Sequence, residues 1–320
     1  MFRYALKRIA LLIPILIGVS LFIFVSMNLA RGDYVDSLNT DDMTPEQVHE
    51  LRVKYGLDKP LLYRYVKYIW DLLHGDLGTS YVSGNSVWDM FMSKIGLTAK
   101  LAVFSTIVCM AISIPLGIIA ARNRGSWGDN IASFLAVIGL AMPNFWLGLL
   151  LIILFSLNLG WVESGGYNGF TSLILPAITV GTGNAALLMR TTRSAMVDAL
   201  SADYLRTARA KGVSEHKVVN FHALKNAMIP ILQIACNQFA LCFGGAVLTE
   251  SVFTLPGVGK LVVDSVNQRD VPMVCGCLIL KCTIISLIGL LTDLLFVVVD
   301  PRVKTQYVSA ARKKGGTKHG

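Results

Sequence analysis

Charged residues are scarce in this chain. Asp, Glu, Lys and Arg make up 15% of its 320 residues, whereas hydrophobic residues make up 54%, and the mean hydropathy is +0.59. Soluble domains carry about 25% charged residues. The composition therefore excludes an ordinary soluble protein and predicts an integral membrane protein with one membrane domain.

Cysteines are missing from the polar segments. Because all six lie in apolar stretches, a secreted disulfide framework is not expected. Cys275 and Cys277 are two residues apart, so on a helix they would point to nearly opposite sides and make a poor pair of metal ligands. We interpret the cysteines as small packing residues. They are Cys109, Cys236, Cys242, Cys275, Cys277 and Cys282.

Known catalytic patterns are also missing. The sequence has no His-Glu-x-x-His metal helix and no Gly-x-Ser-x-Gly nucleophile turn, and its five histidines are scattered. Residues 257–260 (Gly-Val-Gly-Lys) look like the end of a phosphate-binding loop. The full pattern needs Gly and Ser or Thr where this chain has Thr254 and Leu261. We therefore predict no enzyme activity, no catalytic residue and no metal site.

Basic residues are unevenly distributed. The formal net charge is +9, but four short segments beside apolar runs hold 3, 2, 7 and 6 Lys or Arg, whereas two other short connections hold none and two. Cytoplasmic loops of membrane proteins are enriched in Lys and Arg. The pattern thus predicts a multi-pass protein with cytoplasmic N- and C-termini and no nucleic-acid partner.

Six apolar runs are long enough to cross a bilayer, because about 20 helical residues span its 30 Å core. The predicted fold is an all-α integral membrane protein with six transmembrane helices. We divide the chain into the N-terminus and first helix (1–29), an extracytoplasmic insert (30–97), a five-helix membrane core (98–300) with a cytoplasmic loop (190–229), and a basic cytoplasmic tail (301–320).

Two helices are predicted in the insert. Thr44-Pro45-Glu46-Gln47 has the form of a capping box with proline at the first helical position. Further along, apolar residues at helical spacing predict an amphipathic helix that lies on the outer membrane face or on neighbouring helices. These residues are Leu62, Tyr65, Val66, Ile69, Trp70 and Leu73.

Several features interrupt the core spans. Pro143 is expected to break the third apolar run, because proline removes a helix hydrogen bond. The fourth run, predicted at 173–189, is expected to be loosened by Pro176, Gly181 and Gly183. Residues 250–273 are expected to form an outer loop.

Polar residues within apolar runs are costly and often functional. Asn144, Asn184, Asn237 and Gln238 are therefore candidates for a polar pathway at a subunit interface. The alternative is that they form hydrogen bonds between helices without contacting cargo. Both interpretations stay open for each residue.

The longest polar interruption in the second half covers residues 190–229 and carries seven Lys or Arg. Ala195–Lys211 contains no Gly or Pro and is rich in Ala, Leu and Arg, which predicts a helix. Gly212 fits the left-handed position that follows such a helix. Ser214 is then predicted to cap a second, short helix that ends at Phe221.

The second helix would have an apolar and a polar side. Val218, Val219 and Phe221 are predicted to face protein or lipid, and Glu215, His216 and Lys217 to face water. One interpretation is a short rigid knob that docks a soluble partner. The other is a solvated basic loop that touches lipid headgroups.

Residues 203–212 (Asp-Tyr-Leu-Arg-Thr-Ala-Arg-Ala-Lys-Gly) and 222–227 (His-Ala-Leu-Lys-Asn-Ala), followed by Pro230, resemble the cytoplasmic EAA loop of ATP-binding-cassette importer permeases. The general loop has an acidic residue where this chain has Arg206, and its proline comes earlier. Permeases of dipeptide, oligopeptide and nickel importers share both departures, so the resemblance is closest to that group.

Other stretches resemble the same permeases. They include residues 253–260 and 269–272, and the resemblance extends from Arg8 to Arg302. It implies a binding-protein-dependent permease subunit of an ATP-driven importer of di- or oligopeptides or nickel-type chelates. The implied location is a bacterial or archaeal cell (inner) membrane.

The resemblance also implies partners. They are a second homologous permease that completes the translocation path, two cytoplasmic ATP-binding subunits, an extracytoplasmic substrate-binding protein and the lipid bilayer. No cofactor is expected in this chain, because the partner subunits bind ATP. The residues expected to couple to the ATPases are Arg206, Ala208, Arg209, Ala210, Gly212, Ser214, Glu215, His216, Lys217 and Phe221.

An ion-gradient-driven secondary transporter is the alternative. It predicts transport by this chain alone and an essential buried acid, for which Asp293 is the best candidate. Lys281 is twelve residues from Asp293, about 18 Å along a helix, which is too far for a direct pair. A membrane-embedded scaffold or enzyme is a further rival, and it predicts activity without an ATPase.

Overall fold

The computed structural model describes residues 2–29, 32–38 and 43–299, and the predicted tail 301–320 lies outside them. The described residues are helical and form no β-sheet beyond one bridge between Thr79 and Ser86. The helices are α1 (Phe2–Leu29), α2 (Tyr34–Ser37), α3 (Pro45–Lys54), α4 (Leu61–Leu73), α5 (Val87–Arg122), α6 (Trp127–Ala141), α7 (Asn144–Leu151), α8 (Ile174–Leu200), α9 (Asp203–Ala210), α10 (Glu215–Lys217), α11 (Leu224–Gly245), α12 (Val247–Val252), α13 (Val258–Asn267) and α14 (Val271–Val299).

Within the described residues, five helices are long and apolar enough to cross a membrane. They cover Arg8–Leu29, Val87–Arg122, Thr171–Leu200, Glu215–Gly245 and Val271–Phe296. Trp127–Ala141 (α6) and Asn144–Asn158 (α7 with the π-helical segment Ile152–Asn158 that continues it) give a sixth if they form one span, although the two are bent by 97° at the residues between them. Pro143 lies at this bend, as predicted, because a proline cannot continue the hydrogen-bond ladder of α6.

The centre of the bundle is the contact between α5 and α8. Ser113 Oγ on α5 donates to the Ala185 carbonyl on α8 at 2.8 Å. A Cβ on Gly181 would lie 2.7 Å from the Ser105 carbonyl oxygen, so this glycine lets α8 approach α5 closely. The prediction that Gly181 loosens the fourth span is wrong, because the missing side chain permits tight packing of an unbroken helix.

The bundle has two distinct ends. Arg8 on α1 pairs with Asp293 on α14 at one end, and Phe24 packs against Val271 and Cys275 at the other. We call the first the basic end, since Arg122 at the end of α5 also lies there, and the second the insert end.

The two helices predicted in the insert are confirmed. Thr44 and Gln47 form the capping box of α3 through reciprocal hydrogen bonds of 3.3 and 2.9 Å. Helix α4 packs on α1, where Tyr65 and Tyr68 lie against the ring of Phe24. Of the two locations expected for α4, contact with a neighbouring helix is therefore observed.

Residues 250–273 are not the simple loop that was predicted. They include the end of α12, all of α13 and the start of α14. Glu250 is fully buried and accepts hydrogen bonds from Thr98 Oγ1 at 2.7 Å and from the Lys260 backbone N–H at 3.1 Å. A carboxylate buried in this way organises the chain around it, which explains why the segment is ordered.

Candidate functional site

The predicted coupling loop begins on a long helix. Helix α8 continues to Leu200, well past the predicted end of the fourth span. The chain then breaks at Ser201 and Ala202 before α9 begins, so the prediction of one continuous helix over Ala195–Lys211 is wrong. Helix propensity did not reveal the break, which allows Leu205 on α9 to turn inward and become fully buried.

Gly212 makes the turn after α9. Its φ angle is +77°, in the left-handed region where side chains other than glycine are strained. The N–H groups of Gly212 and Val213 donate to the carbonyls of Arg209 and Ala208 at 2.9 and 3.2 Å. These bonds satisfy carbonyl groups that the end of α9 leaves open.

The second short helix differs from its prediction. Ser214 lies at the N-cap of α10, but its side chain makes no capping hydrogen bond with the described residues. Helix α10 then continues through a wide π-helical turn, Val218–Ala223, directly into α11. The predicted separate helix is therefore the first part of the fifth span, which connects this surface directly to the membrane core.

Phe221 was expected to face protein or lipid together with Val218 and Val219. The two valines are buried, whereas Phe221 is 71% exposed. The π-helical turn changes which residues share a face, so that Ala223 joins the valines on the buried side. Phe221 consequently projects from the basic end as an exposed aromatic ring.

The buried side of this region joins the main core. Leu205, Val218 and Val219 belong to one apolar cluster with Met196 on α8 and Ile231 on α11. Close-packed interiors transmit displacement rather than absorb it. The surface formed by α9, the Gly212 turn and α10, which we call the elbow, is therefore rigidly attached to the fourth and fifth spans.

Arg209 and Glu215 bridge the elbow across the Gly212 turn. Arg209 Nε and Nη2 donate to the two carboxylate oxygens of Glu215 at 3.0 and 2.9 Å. The other predicted coupling residues lie on the same elbow, where Ala208 is half-buried and the rest are exposed. The exposed ones are Arg206, Ala210, Gly212, Ser214, His216, Lys217 and Phe221.

A second ion pair links the base of the elbow to the bent third span. Arg193 on α8 donates from Nε and Nη2 to the two carboxylate oxygens of Asp129 on α6, at 2.7 and 2.6 Å. Asp129 also accepts the Gly125 N–H at 3.0 Å, and its side chain is buried. Sequence reasoning missed this pair, because no local pattern relates residues 64 positions apart.

A double-mutant cycle should distinguish the two ion pairs. We expect Asp129→Ala and Arg193→Ala to interact by roughly 1 kcal/mol or more, because each single change leaves a partly desolvated charge without its partner. The exposed Arg209–Glu215 pair has the same geometry and should give less than about 1 kcal/mol. Unfolding of the wild type and the six variants in detergent measures both cycles, and equal interaction energies would contradict the argument.

The polar residues of the spans do not all meet. Gln238 Nε2 donates to the Asn184 carbonyl at 2.7 Å, and Asn184 Nδ2 donates to the Val180 carbonyl at 3.0 Å. Asn144 lies beside Gly183 at the bend between α6 and α7. Asn237 lies on an exposed side of α11. The first pair thus bonds helices together, whereas Asn237 faces outward from the chain.

Gln238 is buried, and its Oε1 atom has no hydrogen-bond partner among the described residues. An unpaired polar atom in a buried position costs free energy. It can accept a hydrogen bond from a water molecule or another donor that reaches α11.

Two models of one protein family match this chain. The model of the family described as "Binding-protein-dependent transport system inner membrane component" matches residues 113–305, and the model of its N-terminal part matches residues 1–102. These two matches together cover most of the sequence.

Individual relatives align over nearly their full length. The dipeptide transport system permease protein DppB of Escherichia coli (strain K12) is 37% identical over 336 residues, covering 95% of this chain and 99% of that protein. The oligopeptide transport system permease protein AppB of Bacillus subtilis (strain 168) is 38% identical over 315 residues, covering 95% and 100%.

A solved structure shares the fold. The MetNI methionine ABC transporter, crystallised in inward-facing conformations, contains a chain that aligns with 66% of this one at a TM-score of 0.54 and 17% identity. The alignment covers 96% of that chain. At this identity the likeness concerns the fold alone.

Proposed function

This chain belongs to the family of binding-protein-dependent transport system inner membrane components, and we propose that it is the permease subunit of an ATP-driven peptide importer. Relatives that align over nearly the whole chain are permeases of dipeptide and oligopeptide transport systems. Their names support peptides as the cargo class and do not support the nickel-type chelates that the resemblance also implied. The chain has no enzymatic role in this proposal.

The observation that carries the proposal is the rigid elbow at the basic end. A membrane subunit that binds no nucleotide must receive mechanical work through a firm contact with a subunit that does. The elbow offers exposed residues on one side and buried anchors in the fourth and fifth spans on the other. We propose that the basic end is cytoplasmic and that two ATP-binding partners dock there.

The rest of the proposed assembly follows from this orientation. A second homologous permease completes the path, and a substrate-binding protein delivers peptide at the insert end. Asn237 on the exposed side of α11, and Asn144 at the bend, are the residues we place along the path. Asn184 and Gln238 do not line the path in this proposal. They stabilise the helices beside it, since their hydrogen bond joins α8 to α11.

Family membership favours this mechanism over the ion-gradient alternative. Asp293, the acid on which that alternative relied, pairs with Arg8. Co-purification with ATP-binding subunits, followed by peptide-stimulated ATP hydrolysis in proteoliposomes, tests the proposal. Peptide uptake by the purified chain alone, driven by an ion gradient without nucleotide, would refute it.

Replacing Gly212 with Val should uncouple ATP hydrolysis from uptake. The φ angle of +77° would cost a β-branched residue about 1–2 kcal/mol, and relaxing this strain reorients α10 relative to α9. No described atom lies within 4 Å of a Cβ at this position, so the effect comes from the backbone and not from a collision. The measurement is the amount of peptide taken up per ATP hydrolysed in proteoliposomes.

Gly125→Val is the matched control. Gly125 has a φ angle of +76°, also has open space around a Cβ, and lies in the turn between α5 and α6, outside the elbow. Both variants should lose similar stability, but only Gly212→Val should lower the uptake per ATP. If uptake per ATP is unchanged, or falls equally in both, the elbow is not the coupling site.

A further inference from the structure

Helix α4 presents an apolar stripe that the described residues leave uncovered. Leu62, Val66, Trp70 and Leu73 are 74%, 58%, 64% and 74% exposed. Their spacing puts them on one face of the helix. Four large apolar side chains aligned in this way are unusual on a water-facing surface and indicate a contact that excludes water.

The other side of α4 fixes its depth along the first span. The Tyr65 hydroxyl donates to the Ile17 carbonyl on α1 at 3.1 Å and lies 3.1 Å from the Ser20 hydroxyl. Ile17 is twelve residues before the end of α1 at Leu29, or about 18 Å along the helix axis. Helix α4 therefore lies beside the apolar part of α1, and its Tyr65 side chain extends along α1 toward Ile17. It does not lie in the water beyond the end of α1.

The surroundings of α4 match this depth. Leu21 and Phe22 on α1 are exposed apolar residues. They lie at nearly the same height along the α1 axis as Phe24, which contacts Tyr65. Since α1 packs along α14 and α4 at the edge of the bundle, these side chains point away from the core. The stripe on α4 and the surface of α1 together form an apolar edge at the insert end.

The polar face of α4 suits the boundary between lipid and water. It carries Arg64, Lys67 and Asp71, and the Arg64 guanidinium lies 5.8 Å from the centre of the Phe24 ring. Lys67 is exposed, so its ammonium group can reach the headgroup region, while Arg64 stays against the ring of Phe24. A helix with a basic polar face and a Leu/Trp apolar face is the type that lies in the plane of a membrane interface.

We propose that α4 is an interfacial membrane helix, with Leu62, Val66, Trp70 and Leu73 in contact with lipid acyl chains of the leaflet at the insert end. The insert is then attached to the bilayer surface through this helix as well as through α1. Anchoring at two places holds the insert at a fixed height above the bundle. The proposal does not depend on which cargo the protein carries.

Site-directed spin labelling measures this contact directly. Val66→Cys and Trp70→Cys on the stripe, and Lys67→Cys on the polar face, are labelled with a nitroxide in the full chain, purified with any subunits that accompany it. The protein is placed in vesicles of phosphatidylethanolamine and phosphatidylglycerol. Collision rates with oxygen, which enters lipid, and with a water-soluble nickel chelate are then compared at each position.

Labels at positions 66 and 70 should favour oxygen over the nickel chelate several-fold, and the label at position 67 should show the reverse. The chain without an introduced cysteine is treated with the same label and provides the background signal, since its native cysteines are buried or half-buried. Two results would overturn the proposal. Preference for the nickel chelate at 66 and 70 means that the stripe faces water, and exclusion of both reagents means that a protein partner covers it.

Discussion

Replacing Glu250 with Ala is expected to prevent stable folding or to lower the unfolding free energy by about 3–5 kcal/mol. The carboxylate is fully buried at the insert end, where it accepts hydrogen bonds from Thr98 and from the Lys260 N–H. Burial raises the pKa of the Glu250 carboxyl, and these hydrogen bonds together with the charge of Lys281 act in the opposite direction. Lys281 is itself buried, so removing the acid also leaves a buried cation without its countercharge.

The chain around Glu250 is built to hold this carboxylate. Thr98 Oγ1 donates to Glu250 and accepts the Val258 N–H at 2.9 Å, so one hydroxyl joins α5, α12 and α13. Gly257 and Gly259 lie directly against the Glu250 carboxyl group, where a Cβ would collide with it. Glu250 is therefore the point at which three separate elements of the insert end are joined.

Two further variants make the expectation specific. Glu250→Gln keeps an acceptor for Thr98 but turns an NH2 group toward the Lys260 N–H. It should therefore lower the free energy of unfolding by less than Glu250→Ala does. Asp264→Ala removes a half-exposed carboxylate that Lys260 Nζ contacts at 2.9 Å and should cost less than about 1 kcal/mol. The apparent unfolding temperature in detergent ranks the three. A Glu250→Ala protein as stable as Asp264→Ala would contradict this role.

Sequence patterns predicted those parts of the structure that depend on local chemistry. Five of the six predicted membrane helices, the capping box at Thr44, the break at Pro143 and the amphipathic helix 61–73 each follow from residues within one or two helical turns. The left-handed turn at Gly212 is of the same kind. In all these cases, the side chains that determine the conformation are close in sequence.

Features that depend on distant partners were missed. Glu250 was assigned to a loop because it follows the fifth apolar run, whereas its partner Thr98 is 152 residues away. Arg193 was counted as one more loop charge, although its partner Asp129 is on another span. A partly buried Arg–Asp pair produces no periodic sequence pattern, and a single sequence does not show which charges meet.

The elbow contains one feature that the sequence predicted and one that it did not. The glycine turn was predictable, since few residues adopt its backbone angles. The exposure of Phe221 was not, because it depends on a π-helical turn that inserts an extra residue per turn. The contact between the elbow and the proposed ATP-binding partners stays a prediction that the Gly212 and Gly125 variants address.

The second large effect is expected at Gly117, where α5 meets α8. A Cβ on Gly117 would lie 2.6 Å from Thr192 Cβ and 2.9 Å from the Met189 carbonyl oxygen. The Met189 oxygen belongs to the backbone and cannot rotate away, so Gly117→Ala must push the two helices apart. Overpacking of this kind costs about 1–3 kcal/mol, occasionally more, and it also displaces the base of the elbow, because Thr192 precedes Arg193 on α8.

Gly96→Ala provides a control of opposite sign in the same helix. No described atom lies within 4 Å of a Cβ at Gly96, so this change should stabilise α5 by up to about 1 kcal/mol, because alanine is the better helix former. Apparent unfolding temperatures in detergent should therefore fall for Gly117→Ala and rise for Gly96→Ala, and peptide-stimulated ATP hydrolysis should fall only in the first. If both substitutions raise the unfolding temperature, helix propensity and not the contact between α5 and α8 determines the outcome, and the close approach at Gly117 is not what holds the bundle together.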